Sequence, residues 1–518
     1  MFRSLLLVSA AGLAAVLQSL AQSTTSDNLP FYSGPLRPRV HFSPPKGWMN
    51  EPNGLFVDKN GTWHLYYQYN PTRLVAAAQH WGHATSVDLY HWTNQPIAGS
   101  GGSALGSRFS GSAVIDQNNT SGFFPDTDNG VVAIYTRDCC EQHLRLIAYS
   151  GDGGYSFTEY QHNPVLSPGA GQFRDPKVFW HETRWVMTVA CRVYVIGLYT
   201  SPDLKSWTHA SAFTPVDYVI GVYECPDLIS WTHASNITHV GFLGWVLTIS
   251  INPGSPLGGS ITQYFPGEFN GTHFTPYDSA ARLTNFGKDD YAGQYFFAEP
   301  YSIGWASNWQ YTAQVPTGPE EGWRSAMTLP DCEWTRLTAA ANGGIDCTVT
   351  PNADCRQPDC AGSGGSALGS RYFSGPLHLD QPTHRSFPSQ LHLWRLLRLG
   401  RDQCEQHLRL LPRPGRRSRS DLHSQHAYPS SPGAGAILRR RIHFHALRRK
   451  PCAACRVEPV PRSKGLLAFN TTQAKRFSGV IDRSLIELYI DNGAVVGTMS
   501  FYPEEPLDKL EVSPDILY

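Results

Sequence analysis

Charge is scarce in this chain, and it cancels. Only 16% of the 518 residues are Asp, Glu, Lys or Arg, and 42 basic residues stand against 42 acidic ones. A chain with no net charge is not a global binder of nucleic acid or any other polyanion. So few charges among so many apolar residues also exclude disorder of the whole chain. Long helical periodicity is absent, and past residue 21 no run is long and apolar enough to cross a bilayer. The 11 cysteines are an odd count without zinc-like Cys/His spacing. The nearest candidate for a metal pair, Cys452-Ala-Ala-Cys455, sits in an anomalous stretch. The chain is too large for a small disulfide scaffold.

Glycine, proline and aromatics are plentiful instead, which suits a β-rich fold with tight turns and also suits sugar binding. The length is comfortable for two domains. Residues 1–21 begin with Met1, Phe2 and the positive Arg3, continue as an apolar run from Leu5 to Leu20 and end at the small Ala21. This is the pattern of a secretory signal peptide, with a linker over 22–37 behind it. In a secreted chain, the Asn-X-Ser/Thr triplets at Asn60, Asn118, Asn119, Asn236, Asn270 and Asn470 become candidate N-glycan sites on surface turns.

From Val40 to about Pro330 the text is uniform. Runs such as WHLYYQYNP from Trp63 and GWVLTISINP from Gly244 are rich in β-branched and aromatic residues, and turn clusters such as PNG, DKNG and NPGSPLGG separate them. Many short strands at regular spacing predict an all-β sandwich, barrel or propeller. After Pro330 the style changes. Residues 411–450 hold nine arginines and one acidic residue, Asp421. GSGGSALGSR at Gly99 returns at Gly362, CEQHLRL at Cys140 returns at Cys404, and SPGAG at Ser167 returns at Ser431. Identical islands at an almost constant offset, with the apolar pattern lost between them, are not how a folded duplicate diverges. They read as duplicated DNA partly out of frame or as an erroneous gene model, so the Arg-rich run is not taken as a nucleic-acid site. SPDLKSWTHAS from Ser201 also recurs as CPDLISWTHAS from Cys225, either as a strand repeat or as a local patch. From about Gly465 normal style returns, with a hairpin around Asp491-Asn492-Gly493.

Three acids have telling neighbours: Glu51 in Trp48-Met49-Asn50-Glu51-Pro52, Asp175 in Phe173-Arg174-Asp175-Pro176, and Glu224 in Tyr223-Glu224-Cys225-Pro226. Each is read at a strand end, where a run meets a turn. Glycosidic hydrolysis wants such a set, one carboxylate to attack the anomeric carbon and one carboxylic acid to protonate the leaving oxygen. Taken singly, an acid before Pro is usually a turn residue or cap.

The ordered stretches HFSPPKGWMNEPNGLF, WHLYYQYNP, WGHATS, FSGSAVIDQNNTSGFF, QFRDPKVFW, YECPDL, NFGKDDYA, GWASNWQY and GWRSAMTLP resemble glycoside hydrolase family 32, in fungal invertase-like wording. The resemblance spans about 38–330 and the tail from about 475. It implies a five-bladed β-propeller followed by a C-terminal β-sandwich, here disrupted: propeller over 38–340, a frame-shifted-looking segment over 341–465 that partly repeats 99–193, and a sandwich remnant over 466–518. It implies Glu51 as nucleophile, Asp175 as transition-state stabiliser and Glu224 as acid/base, kept protonated by its neighbours until it acts. Trp48, Asn50, Gln68, Trp81, Phe109, Ser110, Arg174 and Trp305 match positions that line the fructose pocket. The partner implied is a fructoside, with no nucleic acid and no membrane, and no metal or organic cofactor is implied. Glu51 departs from the usual Asp, a wording shared with endo-inulinases. Inulinase activity therefore stands beside invertase; fructosyltransferase activity, which depends on water exclusion and acceptor contacts, stands open too, and the broken C-terminal half admits a catalytically dead fructan-binding protein.

Overall fold

A computed structural model describes residues 32–98, 108–139, 142–169, 171–191, 193–214, 221–230, 244–331, 333–339, 345–351, 370–377, 439–444, 466–468, 475–490, 495–504 and 512–516. Its elements are almost all strands. The first blade holds β1 (Gly47–Val57), β2 (Trp63–Asn70), β3 (His80–Ser86) and β4 (Trp92–Ala98). The second holds β5 (Arg108–Ile115), β6 (Val131–Cys139), β7 (Gln142–Ser150) and β8 (Thr158–Glu159). The third holds β9 (Phe173–His181), β10 (Arg184–Cys191), β11 (Ile196–Ser201) and β12 (Thr208–Phe213). The fourth holds β13 (Val222–Ser230), β14 (Trp245–Asn252), β15 (Ile261–Phe269), β16 (Phe274–Pro276) and β17 (Arg282–Leu283). The fifth holds β18 (Tyr291–Tyr295) and β19 (Ser302–Trp305), to which Met327 and Asp331 add bridges.

The innermost strands touch in a closed ring, β1 to β5 to β9 to β13 to β18 and back to β1. This is the five-bladed propeller that the resemblance implies. The ring is tied by β20 (Trp323–Arg324), which comes after the fifth blade and pairs with Gly47 and Trp48 of the first.

The sequence pattern follows position in the blade. β14, a second strand, reads WVLTISIN and is buried over its six central residues, because its sheet is covered on both faces. The outermost β4 and β12 bury only some of their residues and leave the others to solvent. Apolar clusters fill the clefts between blades, such as Phe56, Tyr66 and Trp81 against Ala113, Val131 and Tyr135. Each large side chain fully buried there contributes roughly 1.5–3 kcal/mol. Three turns use one device. In Ser86-Val87-Asp88, Ser150-Gly151-Asp152 and Ser201-Pro202-Asp203 the serine hydroxyl donates to the aspartate, which also accepts from following backbone N–H groups. Ser201 and Asp203 thus build a turn between β11 and β12, whereas the matching Cys225 and Asp227 lie inside β13. The two copies are therefore not a strand repeat over the described residues.

Beyond the propeller, β21 (Glu333–Ala339) pairs with β22 (Ile345–Pro351). β23 (Ser370–Leu377), β26 (Lys475–Asp482), β27 (Leu485–Ile490) and β28 (Val495–Ser500) form one sheet. β25 (Leu466–Ala468), β24 (Arg439–Phe444) and β29 (Val512–Ile516) form another. The signal-peptide region, most of 341–465 and the Asp491-Asn492-Gly493 turn lie outside the described residues. So do Asn236 and Asn470; Asn60, Asn118 and Asn270 are exposed, and Asn119 is half-buried. No helix among the described residues is long and apolar enough to cross a membrane.

Candidate active site

The acids do not sit at the junctions of strand and turn where the sequence reading put them. Ser110, Asp175 and Glu224 each occupy the third position of an innermost strand, and Glu51 the fifth of β1. Every one of these strands carries a register shift at that point: between Met49 and Pro52, Phe109 and Gly111, Arg174 and Lys177, and Glu224 and Asp227. The fifth blade repeats the shift between Tyr291 and Gln294. A bulge re-aims side chains, and here five bulges turn theirs to one end of the channel. Proline inside a strand lacks a ladder donor and is tolerated at such a bulge, which accounts for Pro52, Pro176 and Pro226 following the functional residues. Asp175, Cys225 and Ala292 take positive φ values of 60°, 44° and 53° there.

The sequence-predicted acids come together around one guanidinium. Arg174 Nη2 donates to Glu224 Oε1 at 2.7 Å, and its Nε lies 3.7 Å from Asp175 Oδ2. Asp175 Oδ2 also accepts from the Cys225 backbone N–H at 3.1 Å. Ser110 Oγ donates to Glu51 Oε2 at 2.6 Å. Tyr291 donates its hydroxyl proton to Glu224 Oε2, so both oxygens of that carboxylate accept. Burial, with the fields of Glu224 and Asp175, raises Glu51 to about 8 against the bonds from Ser110 and Asn50. Burial raises Asp175 to about 6, although Arg174 opposes it. Near neutral pH the cluster therefore holds a proton among its carboxyl groups, and that proton belongs to the set as a whole.

Around the acids stand polar and aromatic side chains. Asn50 Oδ1 accepts from Trp48 Nε1 and from Gln79 Nε2, each at 2.8 Å. Trp48 and Trp305 are fully buried and pack with Cys225, Tyr291, Ala292 and Trp309. Trp81 faces the cleft between the first two blades, packed on Tyr66 and Tyr135, and its Nε1 donates to the Phe109 carbonyl. The ring of Phe109 meets His143 edge-on. Gln68 pairs with Trp81 across the strands and lies opposite the Asn50–Glu51 bulge. Both atoms of its buried amide lack a partner, as do Trp305 Nε1, Trp309 Nε1 and Gln79 Oε1. Buried polar atoms are seldom left so, and this concentration marks a place for a hydroxyl-rich ligand. Tyr291, Gln79 and Trp309 were missed by the sequence reading. Tyr291 was within reach, because it follows the acids of NFGKDDYA, whereas Gln79 carries no local signal. No group of three or more His, Cys, Asp or Glu among the described residues is arranged to hold a metal ion.

Propeller, carboxyl cluster and indole walls together define a glycoside hydrolase. The model of the glycosyl hydrolases family 32 N-terminal domain matches residues 41–336. Invertase 2 of Saccharomyces cerevisiae is 37% identical over 95% of this chain and 92% of its own. An extracellular exo-inulinase of Meyerozyma guilliermondii is 47% identical over 57% of this chain and 58% of its own. A fructofuranosidase of Schwanniomyces occidentalis, solved with fructosylnystose, superposes with a TM-score of 0.69 at 32% identity, covering 95% of this chain and 98% of that one. The chain belongs to glycoside hydrolase family 32.

Proposed function

We propose that the protein hydrolyses terminal β-D-fructofuranosides, sucrose first among them, by double displacement with net retention. The observation that carries this reading is the carboxyl cluster: Glu51 held by Ser110, with Asp175 and Glu224 flanking Arg174. Glu51 attacks C2 of the fructosyl unit while Glu224 passes its proton to the glycosidic oxygen, and glucose leaves. Asp175 and Arg174 grip the fructosyl hydroxyls as positive charge develops at C2. Glu224, now a carboxylate, takes a proton from water, whose oxygen attacks C2 and releases Glu51. The first step needs Glu224 protonated and Glu51 ionised, whereas burial raises Glu51, so passage of the cluster's proton from Glu51 to Glu224 as substrate binds is part of this reading. The identity to an exo-inulinase supports inulin chain ends as a second substrate. We read the protein as secreted, from the leader-like 1–21, the sequons on exposed turns and a relative named as extracellular.

The test is sucrose hydrolysis by the secreted chain beside Glu224→Gln, with the fructose anomer read by NMR. A loss of at least a hundredfold in the variant is expected, with β-fructose released first by the parent. A parent no faster than its variant would leave only fructan binding.

A further inference from the structure

Arg145 of β7 is fully buried, and among the described residues no carboxylate lies within ion-pair distance of it. A buried cation without a direct counterion is costly unless something nearby needs its charge. Its contacts point to what does. Nη1 donates to Thr136 Oγ1 at 2.6 Å, Nη2 donates to the Phe173 carbonyl, and the guanidinium lies 4.8 Å from the centre of the Phe173 ring. Thr136 is fully buried too, and its hydroxyl is saturated. It accepts from Arg145 and from the Asp175 backbone N–H at 3.0 Å, and donates to the Ser110 carbonyl at 3.1 Å. One hydroxyl thus joins β5, β7 and β9 directly behind Ser110, which holds Glu51, and Asp175, which sits at φ 60°. Arg145 is itself fixed in place, its N–H on the Leu166 carbonyl and its carbonyl on the Val165 N–H.

We propose that Arg145 is a positioning residue of the fructoside site: through Thr136 and the Phe173 carbonyl it fixes the Phe173-Arg174-Asp175 bulge, and it lends Asp175 a second positive charge from behind. The inference rests on the role proposed above for Asp175. Asp175 faces Arg174 on its own strand, Glu224 and Cys225 on β13, Glu51 on β1 and Arg145 on β7; Arg145 also faces His143 and Tyr199. Burial raises the carboxyl of Asp175 and Glu224 adds to this, while Arg174 and then Arg145 oppose them, so taking away Arg145 leaves Asp175 easier to protonate.

The experiment compares Arg145→Met, Arg145→Lys, Thr136→Val and Asp175→Asn in sucrose hydrolysis across pH, with folding checked by near-UV circular dichroism. Arg145→Met should lose roughly a hundredfold in kcat with little change in KM, and the acid limb of its kcat/KM profile should move up by about one pH unit. Arg145→Lys should return the limb to its original place while kcat stays about tenfold down. Thr136→Val should lower kcat with the limb unmoved; it keeps the shape and the cation, so it carries the test if Arg145→Met does not fold. A limb that stays put in Arg145→Met, equal behaviour of Met and Lys, or an undiminished kcat in Thr136→Val overturns the proposal. Asp175→Asn within tenfold of the parent would instead overturn the underlying role of Asp175.

Discussion

At the scale of single residues, Glu51 bears the conflict between function and stability. Its carboxyl belongs in water, yet the fold buries it beside two more acids and raises it from 4.5 to about 8. A carboxyl raised on folding binds more protons in the native state than in the unfolded chain. Its contribution is fully present below pH 4.5 and is lost as pH climbs through about 8. Glu51→Gln keeps the shape and an acceptor for Ser110 but carries no charge. It should lower sucrose hydrolysis at least a thousandfold and still unfold at higher temperature than the parent, with a gap that widens as pH climbs from 4.5 to about 8. Scanning calorimetry at several pH values reads this directly; a gap independent of pH would mean that Glu51 is not held against its charge. The residue types of the site were legible, since acids beside proline stood out and the resemblance sorted them. Which acid burial would press hardest was not legible, because desolvation belongs to the assembled channel mouth.

At the scale of elements, the instructive error is the reading of Pro52-Asn53-Gly54 as a turn between strands. Residues 47–57 are one strand, and the proline marks its bulge. Sequence rules treat proline and glycine as punctuation, which holds where the chain reverses, as at Asp58-Lys59-Asn60-Gly61. They fail where the chain must kink without reversing. The middle strands, buried on both faces, were easy to find because both faces ask for apolar residues. The innermost strands were harder, since their channel ends carry the polar site. Backbone geometry at the bulges has a consequence that can be measured. Cys225 is buried at φ 44°, and its N–H holds Asp175. A β-branched side chain is disfavoured at such a φ. Cys225→Val should therefore cost roughly 2–3 kcal/mol and lower activity, while Cys225→Ala should stay within about 1 kcal/mol. Thermal unfolding and sucrose hydrolysis of the two variants would show this, and equal stabilities would remove strain as the reason.

At the scale of the whole molecule, residues far apart in sequence decide whether the C-terminal strands and the propeller behave as one body. Nothing in the sequence links His41, just before the first blade, to Asp482 in the tail, because a contact 441 positions apart leaves no local pattern. The structure joins them tightly. Asp482 is fully buried and accepts from the backbone N–H groups of Arg39, Val40 and His41 and from His41 Nδ1 at 3.0 Å. Leu329 N–H donates to Glu487, and Ser500 N–H to Asp289, so β27 and β28 are stitched on by buried carboxylates as well. Burial depresses the His41 imidazole, yet Asp482 and Glu487 outweigh it and lift it to about 9. A histidine raised on folding stabilises fully below pH 6.5, and that contribution is lost as pH rises through about 9. Asp482→Asn removes the charge that these four donors face and leaves an imidazolium facing Glu487 alone, a loss of roughly 3–5 kcal/mol. The deficit should be largest below pH 6.5 and shrink toward pH 9, while kcat per folded molecule stays near the parent because the carboxyl cluster lies on other strands. Unfolding curves at pH 5, 7 and 9 with parallel rate measurements test both halves: a deficit that does not shrink with pH denies the ion pair, and a fall in kcat would tie the clasp to the channel mouth.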